Sequence, residues 1–306
     1  MPIARAVVKT ASPYLMMSAV ILLWGMNYVV SRFLVGLDPI RVSGILLALI
    51  RYLLGAITMI GVMFYQRRGI HAIADEVRPY QRMLLISAFF SAVFVMVSHM
   101  ATEFVSSGTT SIIVNLSPAL VLVYSVVFLS EKLTLAKIVG FVLGLVGGLT
   151  ILWTNLLFTS GLELGLSLAL IGMVSWAGYT VALNYLEGAD RYVVTTVNQI
   201  TSTLMMVPFV VFVMMEGTSL ILVLDVWSIS GIVFSGILAS GLAYVLYFSV
   251  IESLGAAKAS SFLFLIPFVG LVGDFALGEP PGLIALLAGL IAIAGVGLVR
   301  MSQSDV

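Results

Sequence analysis

Long apolar stretches alternate with short polar ones along the whole chain. Eight contain no Asp, Glu, Lys or Arg: 10–31, 83–102, 104–130, 138–162, 164–186, 192–215, 226–251 and 280–299. Two more carry one charge each, 42–65 with Arg51 and 259–277 with Asp274. A helix needs about 20 apolar residues to cross the hydrocarbon core of a bilayer. A transmembrane β-strand would be about half as long, with alternating polarity. These stretches are too long for strands and apolar on every face. Because lipid cannot satisfy free backbone groups, they are predicted to be helices. The pattern predicts an all-α membrane protein with ten transmembrane helices.

The polar connections are short. Asp38-Pro39 breaks the chain after the first run, 66–81 is the longest polar loop, and 187–191, 216–225 and 278–281 separate later runs. Hydrophobic residues make up 61% of the chain and charged residues 9%, against about 25% charged in a soluble domain. The formal net charge is zero, which points away from nucleic acid as a partner and leaves the lipid bilayer as the main one. There is no cysteine and there are two histidines, His71 and His99. That excludes disulfides, thiolate metal sites and a cysteine nucleophile, and no cofactor or metal is expected. The first run is longer than the apolar core of a signal peptide and reads as a retained span.

With the N-terminus in the cytoplasm, Arg5, Lys9, Arg67, Arg68, Arg78, Arg82, Lys132, Lys137, Arg191, Lys258 and Arg300 fall on the cytoplasmic side, and only Arg32 and Arg41 outside. That bias predicts both termini in the cytoplasm of a cell whose plasma (inner) membrane holds the chain. The chain also resembles itself. Ser106 onward matches Gly255 onward, aligning Pro118 with Pro267 and Glu131 with Glu279, while Trp24 matches Trp176. Residues 1–157 and 158–306 thus form two five-helix repeats. Five is odd, so the repeats are inverted, an arrangement of secondary transporters whose substrate lies near the midplane.

Trp24-Gly25-Met26-Asn27-Tyr28, then Arg32, an Asp38-Pro39 turn, Arg51, Pro118 and Phe128-Leu129-Ser130-Glu131-Lys132-Leu133-Thr134 form a recognisable series. In these residues the chain resembles the EamA family of the drug/metabolite transporter superfamily. The resemblance implies a ten-helix bundle with both ends cytoplasmic, a central cavity between the first four helices of each repeat, and the fifth and tenth as outer supports. It also implies export of amino acids or other small metabolites.

Arg51 lies about ten residues into its run, where a charge costs roughly 2.5–3.5 kcal/mol on insertion scales. It must face the bundle or a watery cavity, either as an anchor for a substrate carboxylate or phosphate or as a structural cation. Asn27, Asn115, Asn198 and Gln199 are amides within spans, suited to substrate or to interhelical bonding. Trp24, Tyr28, Trp176, Tyr179, Tyr244 and Tyr247 offer rings with polar tips for an amphipathic ligand, or for packing. Pro118 and Pro267 each free a backbone carbonyl one turn earlier and are hinge candidates. His99 with Glu103, four residues on, and Asp274 are candidates for proton coupling. Gly140, Gly144 and Gly148, with a looser Gly289 and Gly297 row, allow close helix packing within the monomer or in a homodimer.

The expected function is a secondary transporter exporting amino acids or related small metabolites by alternating access. Its substrate would be a neutral, zwitterionic or weakly anionic small molecule. Uptake, or flipping of a lipid-linked metabolite, is the alternative of the same class. An intramembrane enzyme would need paired acids or an activated nucleophile at membrane depth; the runs supply neither.

Overall fold

The computed structural model describes residues 12–66, 70–128, 134–158, 162–186, 188–254, 259 and 262–303. Glu131 and the basic residues Arg5, Lys9, Arg67, Arg68, Lys132 and Lys258 lie outside the described residues. Among those described, every named element is helical, and the one β-bridge, Val42 with Leu222, is isolated.

The helices are α1 (Pro13–Val35), α2 (Gly44–Tyr65), α3 (Ile70–Val77), α4 (Gln81–Phe104), α5 (Ser107–Val114), α6 (Ser117–Phe128), α7 (Leu135–Phe158), α8 (Glu163–Asn184), α9 (Arg191–Met215), α10 (Val226–Val233), α11 (Ala243–Leu254), α12 (Ile266–Ala276) and α13 (Leu283–Gln303). Among the described residues, seven helical stretches are long and apolar enough to cross a membrane, and three shorter apolar helices accompany them.

Three expected runs depart from a single regular helix. The run 104–130 starts later than expected, because Ser106 stands extended and caps α5 with its hydroxyl accepting from Thr109 N. The same run then breaks at Asn115-Leu116, just before Pro118, the second residue of α6. A proline there lacks the N–H that the previous turn needs. The run 226–251 widens into a π-helical segment, Phe234–Leu242, between α10 and α11. The run 259–277 opens as a 3₁₀ turn, Phe262–Leu265, and Pro267 enters α12 in its first turn, where a missing N–H costs nothing. Pro208 lies inside α9.

Packing follows small residues. A Cβ on Gly147 would meet Ala288 O at 2.5 Å and Ala292 N at 2.6 Å, and one on Gly295 would collide with the Gly144 backbone. α7 and α13 therefore lie backbone to backbone. The glycine stripe is used inside the monomer, with Gly295 against Gly140 and Gly144, while Gly297 faces Phe264. α1 crosses α12 in the same way, through Gly25 against Val269 and Gly273 against Val29. α2 lies against the π segment through Gly236 and Leu54 and through Gly241 and Thr58. The core between these contacts is apolar: Ile45, Ala48, Tyr52, Val95, Met206 and Val210 form one cluster, and Met16, Met17, Val20, Val250 and Ile266 another.

Much of the outer surface is also apolar. Leu135, Val142, Val146, Leu149 and Trp153 on α7, and Ile284, Leu287 and Ile291 on α13, are exposed. A surface of this kind is stable only in lipid.

Gly147→Val should wedge α7 from α13 and cost about 1–3 kcal/mol, the usual range for overpacking. Gly61→Ala, where a Cβ meets nothing within 4 Å, should leave stability unchanged or slightly raised. Thermal unfolding in detergent followed by light scattering checks both; equal midpoints for the two variants would contradict this packing.

Candidate functional site

One cavity sits among α1, α2, α4, α5, α8, α11 and the 3₁₀ turn. Trp24, Asn27, Tyr28, Ser31, Arg51, Phe94, Ser98, His99, Val114, Asn115, Trp176, Tyr244, Leu263 and Ile266 line it. Of the substrate-site candidates, Trp24, Asn27, Tyr28, Arg51, Asn115, Trp176 and Tyr244 are there together. His99, a proton-coupling candidate, lines it too.

Arg51 is 8% exposed. Its Nε donates to Ser240 Oγ at 2.6 Å, and its Nη1 lies 3.5 Å from His99 Nε2. The guanidinium also sits over the Tyr52 ring, 5.8 Å from its centroid. Among the described residues no carboxylate lies within ion-pair distance of Arg51; both ion pairs there belong to other arginines. His99 Nδ1 lies 2.8 Å from Val95 O. A carbonyl only accepts, so Nδ1 carries the hydrogen, and neutral His99 presents the lone pair of Nε2 to Arg51.

The π segment is what receives Arg51. Widening the turn separates carbonyls from their usual donors, and side chains of facing helices take them. Trp24 Nε1 donates to Ala239 O at 2.9 Å, and Gln199 Nε2 to Ser240 O at 2.8 Å. Ser240 Oγ, which accepts from Arg51, donates to Ser235 O five residues back at 2.9 Å.

Two aromatic walls flank the cation. Trp24 packs with Tyr244 and Tyr247 at centroid distances of 5.3 and 5.2 Å. Trp176 packs with Phe94 at 4.6 Å and with Tyr179 at 5.1 Å. Tyr247 and Tyr179 thus stand behind the lining rings rather than in the lining. Asn198 is elsewhere: its amide donates to Ser87 Oγ at 3.0 Å and joins α9 to α4. Asn115 donates back to Ser111 O at 2.8 Å and covers a carbonyl at the α5–α6 break. Asn27 Oδ1 and Ser98 Oγ are buried in the cavity wall with no protein partner.

The proton-coupling candidates do not form a pair. His99 faces Arg51, whereas Glu103 Oε1 accepts from Gly44 N at 2.6 Å. Asp274 is fully buried and accepts from Ser106 Oγ at 2.8 Å, Ser107 Oγ at 2.5 Å and Gly108 N at 3.0 Å, fastening α12 to the N-terminus of α5. Among the described residues no three His, Asp or Glu side chains converge as metal ligands.

Arg32, which received no site role from sequence, makes as dense a set of bonds as Asp274. Its Nε and Nη2 donate to Glu279 Oε2 and Oε1 at 2.8 and 2.5 Å, and its Nη1 to Thr102 O and Glu103 O at 3.0 Å each. Only the EamA-type series and the isolated charge at the end of the first run mark it in the sequence. Ser31, Phe94, Ser98, Leu263 and Ile266 carry no sequence mark at all.

An all-helical, lipid-coated bundle around a cavity with one cation and aromatic walls belongs to the class of membrane transporters. The EamA-like transporter family model matches the chain twice, over residues 11–153 and 163–301. The chain belongs to this family, and it is a transporter rather than an enzyme. It is similar to an uncharacterized transporter of Archaeoglobus fulgidus, 24% identical over 94% of this chain and 96% of the relative. It is 26% identical to the uncharacterized transporter YoaV of Bacillus subtilis, over 91% of this chain and 93% of that one. A protein of Streptantibioticus cattleyicolor named a probable terminal-alkyne amino-acid exporter is 26% identical over 64% of this chain and 65% of its own. A solved crystal structure, 16% identical, shares the fold with a TM-score of 0.63 over 95% of this chain and 98% of that one. The two matched segments begin at residues 11 and 163, the same offset that separates Trp24 from Trp176. The aromatic walls are therefore contributed by equivalent helices.

Asp274→Asn should cost about 1–3 kcal/mol, because an amide turns its NH₂ toward donors and strands at least one of them. The loss should appear as a lower unfolding midpoint in detergent at neutral pH. A midpoint equal to that of the parent would mean that the clasp is not a stability element.

Proposed function

We propose that the protein exports small amphipathic carboxylates, amino acids among them, by alternating access of the Arg51 cavity. The observation that carries this reading is the cation itself: a buried guanidinium in a lipid-embedded cavity with no described carboxylate to neutralise it. An isolated charge at such depth is costly, and a bound anionic group removes the cost. The aromatic walls suit an apolar tail, and the unpartnered Asn27 Oδ1 suits an ammonium or hydroxyl donor. A cavity of this composition disfavours polycations. The name of the Streptantibioticus relative, a probable amino-acid exporter, agrees with both substrate class and direction.

In this reading the chain spans the membrane ten times, as two inverted five-helix repeats over 1–157 and 158–306, with both termini in the cytoplasm of the plasma (inner) membrane. The helix packing supports it. α4 packs on α8 as the α11 region packs on α1; α2 pairs with α9, α5 with α12 and α7 with α13. Each pair maps onto itself or another when the repeats are exchanged. Pro118 and Pro267 stand at the broken helices of equivalent spans, where a hinge between the two access states belongs. Proton coupling falls to His99, the one titratable candidate that borders the cavity, rather than to Asp274.

The test is counterflow in proteoliposomes with labelled L-phenylalanine and L-leucine, alongside their carboxamides, which lack the negative charge. Exchange should be seen with the acids and not with the amides. Arg51→Ala should lower it by at least about tenfold, as loss of a buried charged hydrogen-bonding partner does, and Asn115→Ala by less. Undiminished exchange by Arg51→Ala, in protein expressed at parental level, would end the anchor assignment.

A further inference from the structure

We propose that Arg32 and Glu279 form a gate that seals the cavity at one membrane face, between the two matched segments of the chain. Arg32 belongs to the first segment and Glu279 to the second. The bond between them is two-pronged, at 2.8 and 2.5 Å, the strongest geometry available to a side-chain ion pair. It lies next to the cavity lining in the chain. Ser31, one residue before Arg32, lines the cavity, and its hydroxyl meets Thr102 Oγ1 at 2.7 Å. Arg32 Nη1 continues that seam by donating to the carbonyls of Thr102 and Glu103 at the end of α4. One guanidinium thus joins α1, α4 and the turn after α12.

The surroundings are shaped for this side chain. A Cβ on Gly36 would collide with Arg32 Nη1 and with Thr102 O, so glycine there lets the guanidinium fold back over the helix end. Glu279 is presented by a fixed turn: Gly278 has φ 77°, a conformation natural to glycine, and Glu279 N donates to Asp274 O at 2.9 Å. The neighbouring acids are already committed. Glu103 Oε1 accepts from Gly44 N, and Asp274 holds the α5 N-terminus. Glu279 is the acid left to Arg32.

The two ends of the bundle differ. α1 packs against α4 and α5 beside this pair, whereas its counterpart in the second segment, α8, has no comparable packing on α11 or α12 among the described residues. Among the described residues, the contacts that draw α1 onto α4 and α5 thus have no counterpart between α8 and α11 or α12. The Glu279 side chain keeps 26% of its exposure and that of Arg32 11%, unlike the fully buried Asp274 clasp. Water can reach the pair, so it can part and reform within a transport cycle, while the Asp274 clasp stays shut. This inference rests on the alternating-access reading.

The chain has no cysteine, so Ser98→Cys places a single reporter thiol in the cavity wall. The rate at which a membrane-impermeant methanethiosulfonate reagent labels it is measured from each face, in right-side-out and inside-out vesicles. With the pair intact, labelling should be slow from the Arg32 face and fast from the other. Adding Glu279→Gln should raise the rate from the Arg32 face by at least about tenfold, as expected when a state held by one charged pair is released. Arg32→Lys keeps the charge but loses the second prong and should give a smaller rise; it carries the same readout if Glu279→Gln does not fold. Unchanged rates in both variants, with parental size-exclusion profiles, overturn the gate and leave the cavity reading standing. Equal labelling from both faces in the parent also overturns the gate. Labelling from neither face overturns the gate and the access model together.

Discussion

Inside a bilayer there is no water to repay a broken hydrogen bond, and the organisation of this protein follows from that constraint. Regular helices satisfy their own backbones and account for most of the chain. Where the backbone leaves the α-helix, at Asn115-Leu116, at Phe234–Leu242 and at Phe262–Leu265, it does so beside the cavity. Side chains meet backbone carbonyls there: Asn115 adds a second bond to Ser111 O, Trp24 takes Ala239 O and Gln199 takes Ser240 O. Arg51 is tolerated for the same reason. Ser240 at the widened turn donates its proton to Ser235 O and leaves its oxygen to accept from Arg51 Nε.

The two matched segments are alike in packing and unlike in chemistry. Trp24 and Trp176 occupy equivalent places and build equivalent walls. The first segment supplies the cation, His99 and the cavity amides Asn27 and Asn115. The second supplies acceptors, from the π segment and from Glu279. Three of the polar contacts therefore cross between the segments: Arg51 to Ser240, Arg32 to Glu279, and Ser107 and Gly108 to Asp274. In the proposed alternating-access cycle, pseudo-symmetric packing would give two arrangements of similar energy. The asymmetric polar contacts across the seam are what can bias one against the other.

The apolar runs were legible because a bilayer imposes one length and one composition on any helix that crosses it. The convergence of Trp24, Asn27, Tyr28, Arg51, Asn115, Trp176 and Tyr244 was legible because each is a polar or aromatic exception in an apolar run, and such exceptions are driven off the lipid face. What they converge on was not. Asn198 has the same sequence signature as Asn27, yet it joins α9 to α4, because the side of the bundle an amide faces depends on helix rotation and on a neighbour far along the chain. His99 and Glu103 have the spacing of a helical pair, and cross-helix partners, Arg51 and Gly44 N, claim them separately. The pairing of Arg32 with Glu279 joins residues whose sequence neighbourhoods say nothing of each other. The π segment has no reliable sequence mark beyond its serines and glycines, so the acceptor for Arg51 was invisible as well.

Polarity alone does not separate a binding site from interhelical glue in such a chain; satisfaction does. Asp274 is as buried and as charged as any group here, and Ser106, Ser107 and Gly108 supply it with donors. Its carboxylate oxygens are occupied in joining α12 to the N-terminus of α5. Asn27 Oδ1 and Ser98 Oγ are also buried, but no protein group meets them. A buried polar atom left in that state costs about 1–3 kcal/mol. Folding alone would favour an apolar residue at either position. Both atoms lie beside an arginine without a described neutralising acid, between two aromatic walls, whereas Gln199 Oε1, Ser228 Oγ and Ser235 Oγ are unpartnered outside the cavity lining. A pocket whose own groups satisfied one another would hold its shape and carry nothing.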